Sequence, residues 1–315
     1  MIDIGALEIS AMRIGSTDAS QAYVGDTLVW SAIQPVTTGL CCEYQVSTTG
    51  VTTIGNAITS GTQTMNVDGV DYPASTTFNF DRAGKHYVSW GDITNLPINA
   101  FANVTALTKV NFQDTTSFIG AYAFSGCTRL QHADMSHTAI WAMNAGAFSA
   151  CTSLQEISLS PRITKINARM FDGCSGTTAI TIPSSVTQIN EYAFQNTSSS
   201  IDVVIPGSVK SISFYSFAGL SGYYYLNEGL ESIGNSAFEF STNQFEVTIP
   251  STVTSIGYNA FESTQTIRFK SSTPPTFGGQ LVADEYDVQT VYVPSGSLAA
   301  YQAALPEYAS RMVEY

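Results

Sequence analysis

The chain is 315 residues long, 44% hydrophobic and only 12% charged, and its 12 basic and 25 acidic residues leave a net charge of -13. A charge of that sign repels phosphate backbones and anionic lipid, and no local basic patch offsets it, so nucleic acid is not an expected partner. No apolar run reaches the roughly 18 residues that a membrane span needs, so membrane insertion is not expected either.

Residues 1–34 come first as a β-segment. The start, "MIDIGALEISAMRIG", lacks a basic stretch followed by an apolar core and a small-residue cleavage site, so it does not read as a secretory signal. Either a leader has been removed, or the protein leaves its cell by another route. Residues 12–30, "MRIGSTDASQAYVGDTLVW", resemble the short β-elements that open tail-associated proteins of phages and prophages of gut bacteria. That likeness implies a virion protein released by lysis. Read without it, the stretch is an N-terminal hairpin with an edge Trp30, and both readings stay open.

Residues 35–92 alternate as strands in "LCCEYQVST", "TQTMNVDGVDY", "STTFNF" and "AGKHYVSWG", and Asp68-Gly69 is a strong two-residue hairpin signal. A small β-sandwich-like domain is expected. Asp68 and Asp71 are weaker candidates for cation ligands than for turn residues. Cys41 and Cys42 are adjacent on a strand and point to opposite faces, so at most one of them should be buried.

From residue 93 to 270 one motif recurs. A Phe closes an "xAF"-like triplet at 101, 124, 148, 171, 194, 217, 238 and 261, in steps of 23, 24, 23, 23, 23, 21 and 23 residues. Such a period means a solenoid, here of about eight coils. In the fullest copy, "ITIPSSVTQINEYAF", Ile180, Ile182, Val186 and Ile189 precede Phe194 at fixed offsets. The first pair reads as a short strand with one face buried, and the Pro ends it because it has no N–H to give. One coil cannot bury that column alone, so neighbours supply the core.

This pattern, with "AFSGCTRL" and "AFSACTSL" after the Phe, resembles the BspA-like leucine-rich repeat proteins of gut-dwelling anaerobic bacteria and of phages that infect them. The likeness implies a curved solenoid used for adhesion or ligand binding, and it implies no chemistry.

Residues 271–315 read as a β/α cap. Ser297 is placed to cap a helix from Leu298, with Ala300, Tyr301, Ala304 and Leu305 covering the open end. Asp284, Glu285 and Asp287 lack a Gly at the turn position of a calcium loop and read as a solvated acidic loop. The whole is a mainly β, leucine-rich repeat solenoid between a small β-domain and a cap.

Candidate sites follow from the outward positions. The residues flanking each inward pair are Lys109 and Asn111, His132 and Asp134, Glu156 and Ser158, Ala179 and Thr181, Asp202 and Val204, Tyr223 and Tyr225, and Glu246 and Thr248. They are expected to form one continuous sheet face. The candidate binding residues on it are Lys109, His132, Asp134, Glu156, Asp202, Tyr223, Tyr225 and Glu246. In "SGYYYLNEGL", the shortest coil, Tyr224 and Leu226 should point inward. Three alternatives weigh less. His132, Asp134 and His137 form a possible metal trio. Glu156 and Asp202, two coils or about 9.6 Å apart by strand spacing, form a possible glycosidase pair. Cys127, Cys151 and Cys174, each three places after the anchor Phe, form an inward ladder within disulfide reach, expected to be reduced. No nucleophile-base-acid arrangement or phosphate loop is present, so no enzyme activity and no cofactor are expected. The expected role is extracellular recognition of a bacterial surface glycan or protein, with a phage tail ranked ahead of a bacterial cell surface and other virion tail proteins as possible partners.

Overall fold

The computed structural model describes residues 12–14, 21–24, 27–31, 40–56, 64–197, 202–220, 222–241, 246–261, 264–282 and 288–315, the first three segments as backbone only. The fold is mainly β, a solenoid of about nine turns closed by a small helical cap. Each coil has three sides. The first is the strand read from the sequence: Lys109, Val110 and Asn111 pair in parallel with His132, Ala133 and Asp134, and these with Glu156, Ile157 and Ser158. In these three strands the central residue is buried and its flanks face out, as the period of two requires; Val203–Ile205 and Tyr224–Leu226 keep the alternation with the central residue outward. Pro183, Pro206 and Pro250 end their strands and then accept a turn hydrogen bond from the N–H of Val186, Val209 and Val253.

The second side was not foreseen. Two-residue strands such as Gln188–Ile189, Ser211–Ile212, Ser232–Ile233 and Ser255–Ile256 pair in parallel in their own ladder. Sequence reading took the Ile only as a core anchor, because two residues carry too little alternation to announce a strand.

The third side explains the xAF triplet. The N–H of each anchor Phe donates to the carbonyl of the residue before the next coil's anchor position: Phe124 to Ala147, Phe171 to Ala193, Phe217 to Ala237. The slot before the Phe lies in the core and is usually Ala, since Ala123, Ala147, Ala193 and Ala237 are all fully buried. Two residues before and two after the Phe the backbone turns left-handed, as at Arg169 (φ 55°) and Gly173 (φ 76°) around Phe171, so that alternate N–H groups all aim at the next coil. Only Gly takes that conformation without steric cost. Ala150 (φ 57°) occupies the slot that Gly173 fills one coil later. Ala150→Gly is therefore expected to raise stability by roughly 0.5–1 kcal/mol, and Gly173→Ala to lower it by a similar amount. A Cβ at Gly173 would come no closer than 3.6 Å to Ala150, so that loss is conformational and not steric. Chemical denaturation of both variants checks it; equal effects of one sign would contradict it.

The core is one apolar column. The eight anchor rings stack with centroids 5.0–5.9 Å apart and planes 4–13° from parallel. At its N-terminal end Trp90 meets Phe101 edge-on at 5.7 Å.

The strands expected between 35 and 92 are present. Leu40–Val46 pairs antiparallel with Gly84–Trp90 on one edge and with Leu107–Asn111 on the other, so this region and the first coils share one eight-stranded sheet. The hairpin forms where Asp68-Gly69 indicated, with φ of 49° and 90° and Val67 opposite Val70. A further two-stranded sheet joins Gly50–Thr53 to Thr77–Phe80. The N-terminal strands Met12–Ile14, Gln21–Val24 and Thr27–Ser31 form their own antiparallel sheet.

At the other end the solenoid runs past the last anchor Phe. Thr266–Phe269 and Thr276–Phe277 make another turn in which the Leu281 carbonyl accepts the Phe261 N–H from the slot before the anchor, and buried Val282 stands where a Phe would have marked the motif. Thr290–Val293 and Met312–Glu314 then extend the sheet. The helix Leu298–Ala304 forms as expected, with two corrections. The Ser297 hydroxyl donates to the Pro294 carbonyl and does not cap the helix; Glu314 accepts the N–H groups of Gly296 and Leu298 at 2.9 and 3.2 Å instead. Of the four residues expected to cover the end, Tyr301 and Leu305 are buried while Ala300 and Ala304 are exposed, because a helix over a small end surface buries only one i, i+4 stripe. Asp284, Glu285 and Asp287 lie outside the described residues.

A candidate binding face on the strand side

The outward columns fall where the alternation puts them, but the face they form is not one continuous sheet. The parallel ladder runs from Lys109 through His132 and Glu156 to Ala179 and stops. Val203–Ile205 and Tyr224–Leu226 pair only with each other among the described residues, and a third sheet starts at Glu246–Ile249. Strands still follow in sequence along the solenoid, but a ladder needs matched backbone register as well as matched side-chain pattern.

On the first segment Lys109, His132, Asp134 and Glu156 are exposed. Lys109 lies opposite Glu43 in the antiparallel pairing, and Glu43 holds Lys85 at 3.0 Å, so this end is a mosaic of both signs. On the second segment Tyr223 and Tyr225 are 43% and 51% exposed beside Val204 at 55%, while Tyr224 between them is 1% exposed and stacks on Phe238 at 4.0 Å. Burial pushes the Tyr224 phenol well above its ordinary range. The Asp202 carboxylate accepts the Tyr223 N–H at 3.0 Å and so braces the tyrosine strand. On the third segment Glu246 holds Arg268 at 3.3 Å, and the Arg268 guanidinium lies over Tyr292 and Tyr315 at 4.2 and 4.8 Å.

Arg268, Tyr292 and Tyr315 belong to this face and were not identified from the sequence, because they lie beyond the last anchor Phe. Thr248 opposite Arg268, and Arg268 opposite Tyr292, extend the column that holds Tyr225 and Thr248.

The alternative sites do not assemble. His137 sits 3.9 Å from Asp134 and 3.8 Å from Asp114 and bonds the Phe112 carbonyl, and no group of three metal-ligating side chains comes together among the described residues. Asp68 accepts the Tyr87 N–H at 2.8 Å and is held by His86 and Arg82, while Asp71 accepts from Asn66, so both carboxylates tie down the hairpin. Asp202, the second acid of the suggested catalytic pair, immediately precedes a strand of a different sheet from that of Glu156, and its carboxylate accepts the Tyr223 N–H.

None of the five cysteines is in a disulfide, and all are buried. Cys41 and Cys42 are 2% and 0% exposed, against the expectation that at most one would be enclosed; their strand is paired on both edges, so its outward face is hemmed in too. Cys127, Cys151 and Cys174 donate to the carbonyls of Phe101, Phe124 and Phe148, the anchor of the coil before, at 3.0–3.1 Å. In later coils Ser241 makes the same bond to the Phe217 carbonyl at 3.5 Å, Thr197 donates to the carbonyl of its own anchor Phe194, and Leu220 fills the slot with an apolar side chain, so the slot is buried in every coil but needs no donor. Burial pushes Cys127 and Cys174 up to about 12 and raises Cys151 well above its ordinary value. A thiol raised in the folded state stabilises fully below its unfolded pKa, about 8.5, and that contribution is lost as pH rises towards the folded value. Stability should thus fall above pH ~8.5 more steeply in this protein than in a variant with Thr at 127, 151 and 174. Ellman's reagent should label no thiol until the chain is unfolded; prompt labelling of the folded protein would contradict the buried ladder.

A three-sided parallel solenoid with an exposed, aromatic-bearing strand face and no assembled catalytic or metal group among the described residues belongs to the class of leucine-rich repeat proteins. The chain matches the family model of the BspA type leucine rich repeat region over residues 94–224 and 223–295, and it belongs to that family. It is similar in fold to a leucine rich cell surface protein from Faecalibacterium prausnitzii A2-165, at 19% identity and a TM-score of 0.39, over 70% of this chain and 76% of that one. It is also similar to a leucine-rich repeat protein from Bacteroides ovatus ATCC 8483, at 15% identity and a TM-score of 0.28, over 72% of this chain and 88% of that one. No curated protein matches the sequence significantly.

Proposed function

We propose that this chain is a non-enzymatic recognition and adhesion protein that works outside the cell and contacts a bacterial surface glycan or protein through its strand face. The observation that carries the reading is the cluster of Val204, Tyr223 and Tyr225, three large side chains held in the open on a rigid strand pair. Aromatic residues fixed on regular structure give contact area at little entropic cost, which is how binding surfaces concentrate affinity. Family membership supports the same reading, since leucine-rich repeats present a repeated surface without chemistry of their own.

The carrier is either a phage tail, alone or beside other tail proteins, or a bacterial surface. Likeness of residues 12–30 to tail-protein openings favours the tail, whereas the family match begins at residue 94 and serves both. No helix among the described residues is long and apolar enough to cross a membrane. The test is binding of the labelled protein to intact gut bacteria, with mass spectrometry of virions from the encoding host. Recovery in virions establishes the tail, and recovery only in the cell-surface fraction establishes the adhesin. Release of oligosaccharides from host capsule, abolished by Glu156→Gln, would replace both with a hydrolase.

A further inference from the structure

The short-strand side of the later coils holds an open groove of about 510 Å³. It lies where one column of the repeat changes. The residue after the short strand is Asn144, Asn167 and Asn190 in the middle coils, where the Asn167 amide donates to the Met143 carbonyl at 2.6 Å and the Asn190 amide to the Asn167 side chain at 3.1 Å. In the following coils that position is Ser213, Gly234, Gly257 and Gly278. The row of amides ends, and these residues line the groove; a Cβ on Gly234 or Gly257 would fall 2.7 or 2.3 Å from a backbone nitrogen of the coil before, so the coils approach closely here. Ser211, Ser232, Ser255 and Thr276 stand in ladder register along the groove, alternating with buried Ile212, Ile233 and Ile256 and therefore facing outward. Phe214 also lines it, with its ring set edge-on between Tyr192 and Tyr215 at 4.7 Å to each.

We infer that this groove binds a neutral, extended polysaccharide chain, at a site separate from the strand face. The volume lies within the range of small-ligand sites, about 300–1,000 Å³. A row of hydroxyls at the roughly 4.8 Å spacing of the ladder offers each successive sugar unit a donor and acceptor. The Phe214 ring offers the apolar face on which a pyranose stacks. Among the described residues Glu191 is the only charged one lining the groove, so an anionic polymer meets one carboxylate and no described cation. An added peptide strand is disfavoured because the backbone of the groove is already paired from coil to coil and leaves no open ladder.

The test titrates the full chain by calorimetry with neutral hexasaccharides of glucose, mannose and N-acetylglucosamine, an acidic oligogalacturonate and an extended peptide. Ser232→Gln with Ser255→Gln fills the groove in a column that already carries Lys165 and Gln188, so the coil accommodates the longer side chain. At least one neutral hexasaccharide should bind, and this double variant and Phe214→Ala should each weaken it by about tenfold or more while the double variant keeps the parent melting temperature. Tyr223→Ala with Tyr225→Ala should leave that affinity unchanged, which separates the groove from the strand face. The inference is overturned if no neutral hexasaccharide binds, if the filled groove binds as well as the parent, or if only the acidic saccharide or the peptide is taken up.

Discussion

Phe171→Ala is expected to destabilise the protein by about 3–5 kcal/mol. Its ring is fully buried at the middle of the column, 5.7 Å from Phe148 and 5.4 Å from Phe194, so truncation removes two stacking contacts and leaves a void that neither neighbour can fill. Each ring is tied to a backbone whose N–H is bonded to the next coil, and that ladder prevents the coils from closing over the gap. Since a solenoid is held by nearest-neighbour interfaces, the loss should divide the column into two halves that unfold less cooperatively. Urea denaturation followed by far-UV circular dichroism checks this. Phe171→Leu should lose less, and a loss below ~1 kcal/mol for the Ala variant would show that the column is not the principal core.

The second large effect separates the three adjacent tyrosines. Tyr223→Ala with Tyr225→Ala should remove the ligand-contacting area and reduce binding to the target cell surface by tenfold or more, with little change in stability because both rings are about half exposed. Tyr224→Ala should do the reverse: it deletes a ring 1% exposed and stacked on Phe238, at a cost of roughly 3–5 kcal/mol. Equilibrium unfolding and cell-binding assays on the two variants give the comparison. If the double variant binds as well as the parent, the strand face is not the recognition surface; if Tyr224→Ala is harmless, the inward column ends before that coil.

Much of this was legible in the sequence because the repeat states each position several times over. Ile180, Ile182, Val186, Ile189 and Phe194 were placed inward from their offsets, and all are buried. The outward residues Lys109, His132, Asp134, Glu156, Asp202, Tyr223, Tyr225 and Glu246 are all exposed, because a period of two leaves them no other face. The turn without a Phe anchor, where Val282 takes that place, carries no aromatic residue there to mark the motif.

The amino-acid order alone therefore determined the coil length, the inward column and the alternation, all of which are local properties repeated along the chain. Only the tertiary structure decided how the pieces join. Leu107–Asn111 pairs with Leu40–Val46, a partner some sixty residues away, and among the described residues the sheet breaks on either side of the pair formed by Val203–Ile205 and Tyr224–Leu226. It also decided that Cys41 is enclosed, that Glu314 and not Ser297 caps the helix, and that Ser211, Ser232, Ser255 and Thr276 come to line one groove. Each of these depends on which backbone edges and side chains meet across long sequence separations, and a periodic pattern that repeats the same local preferences in every coil does not encode that choice.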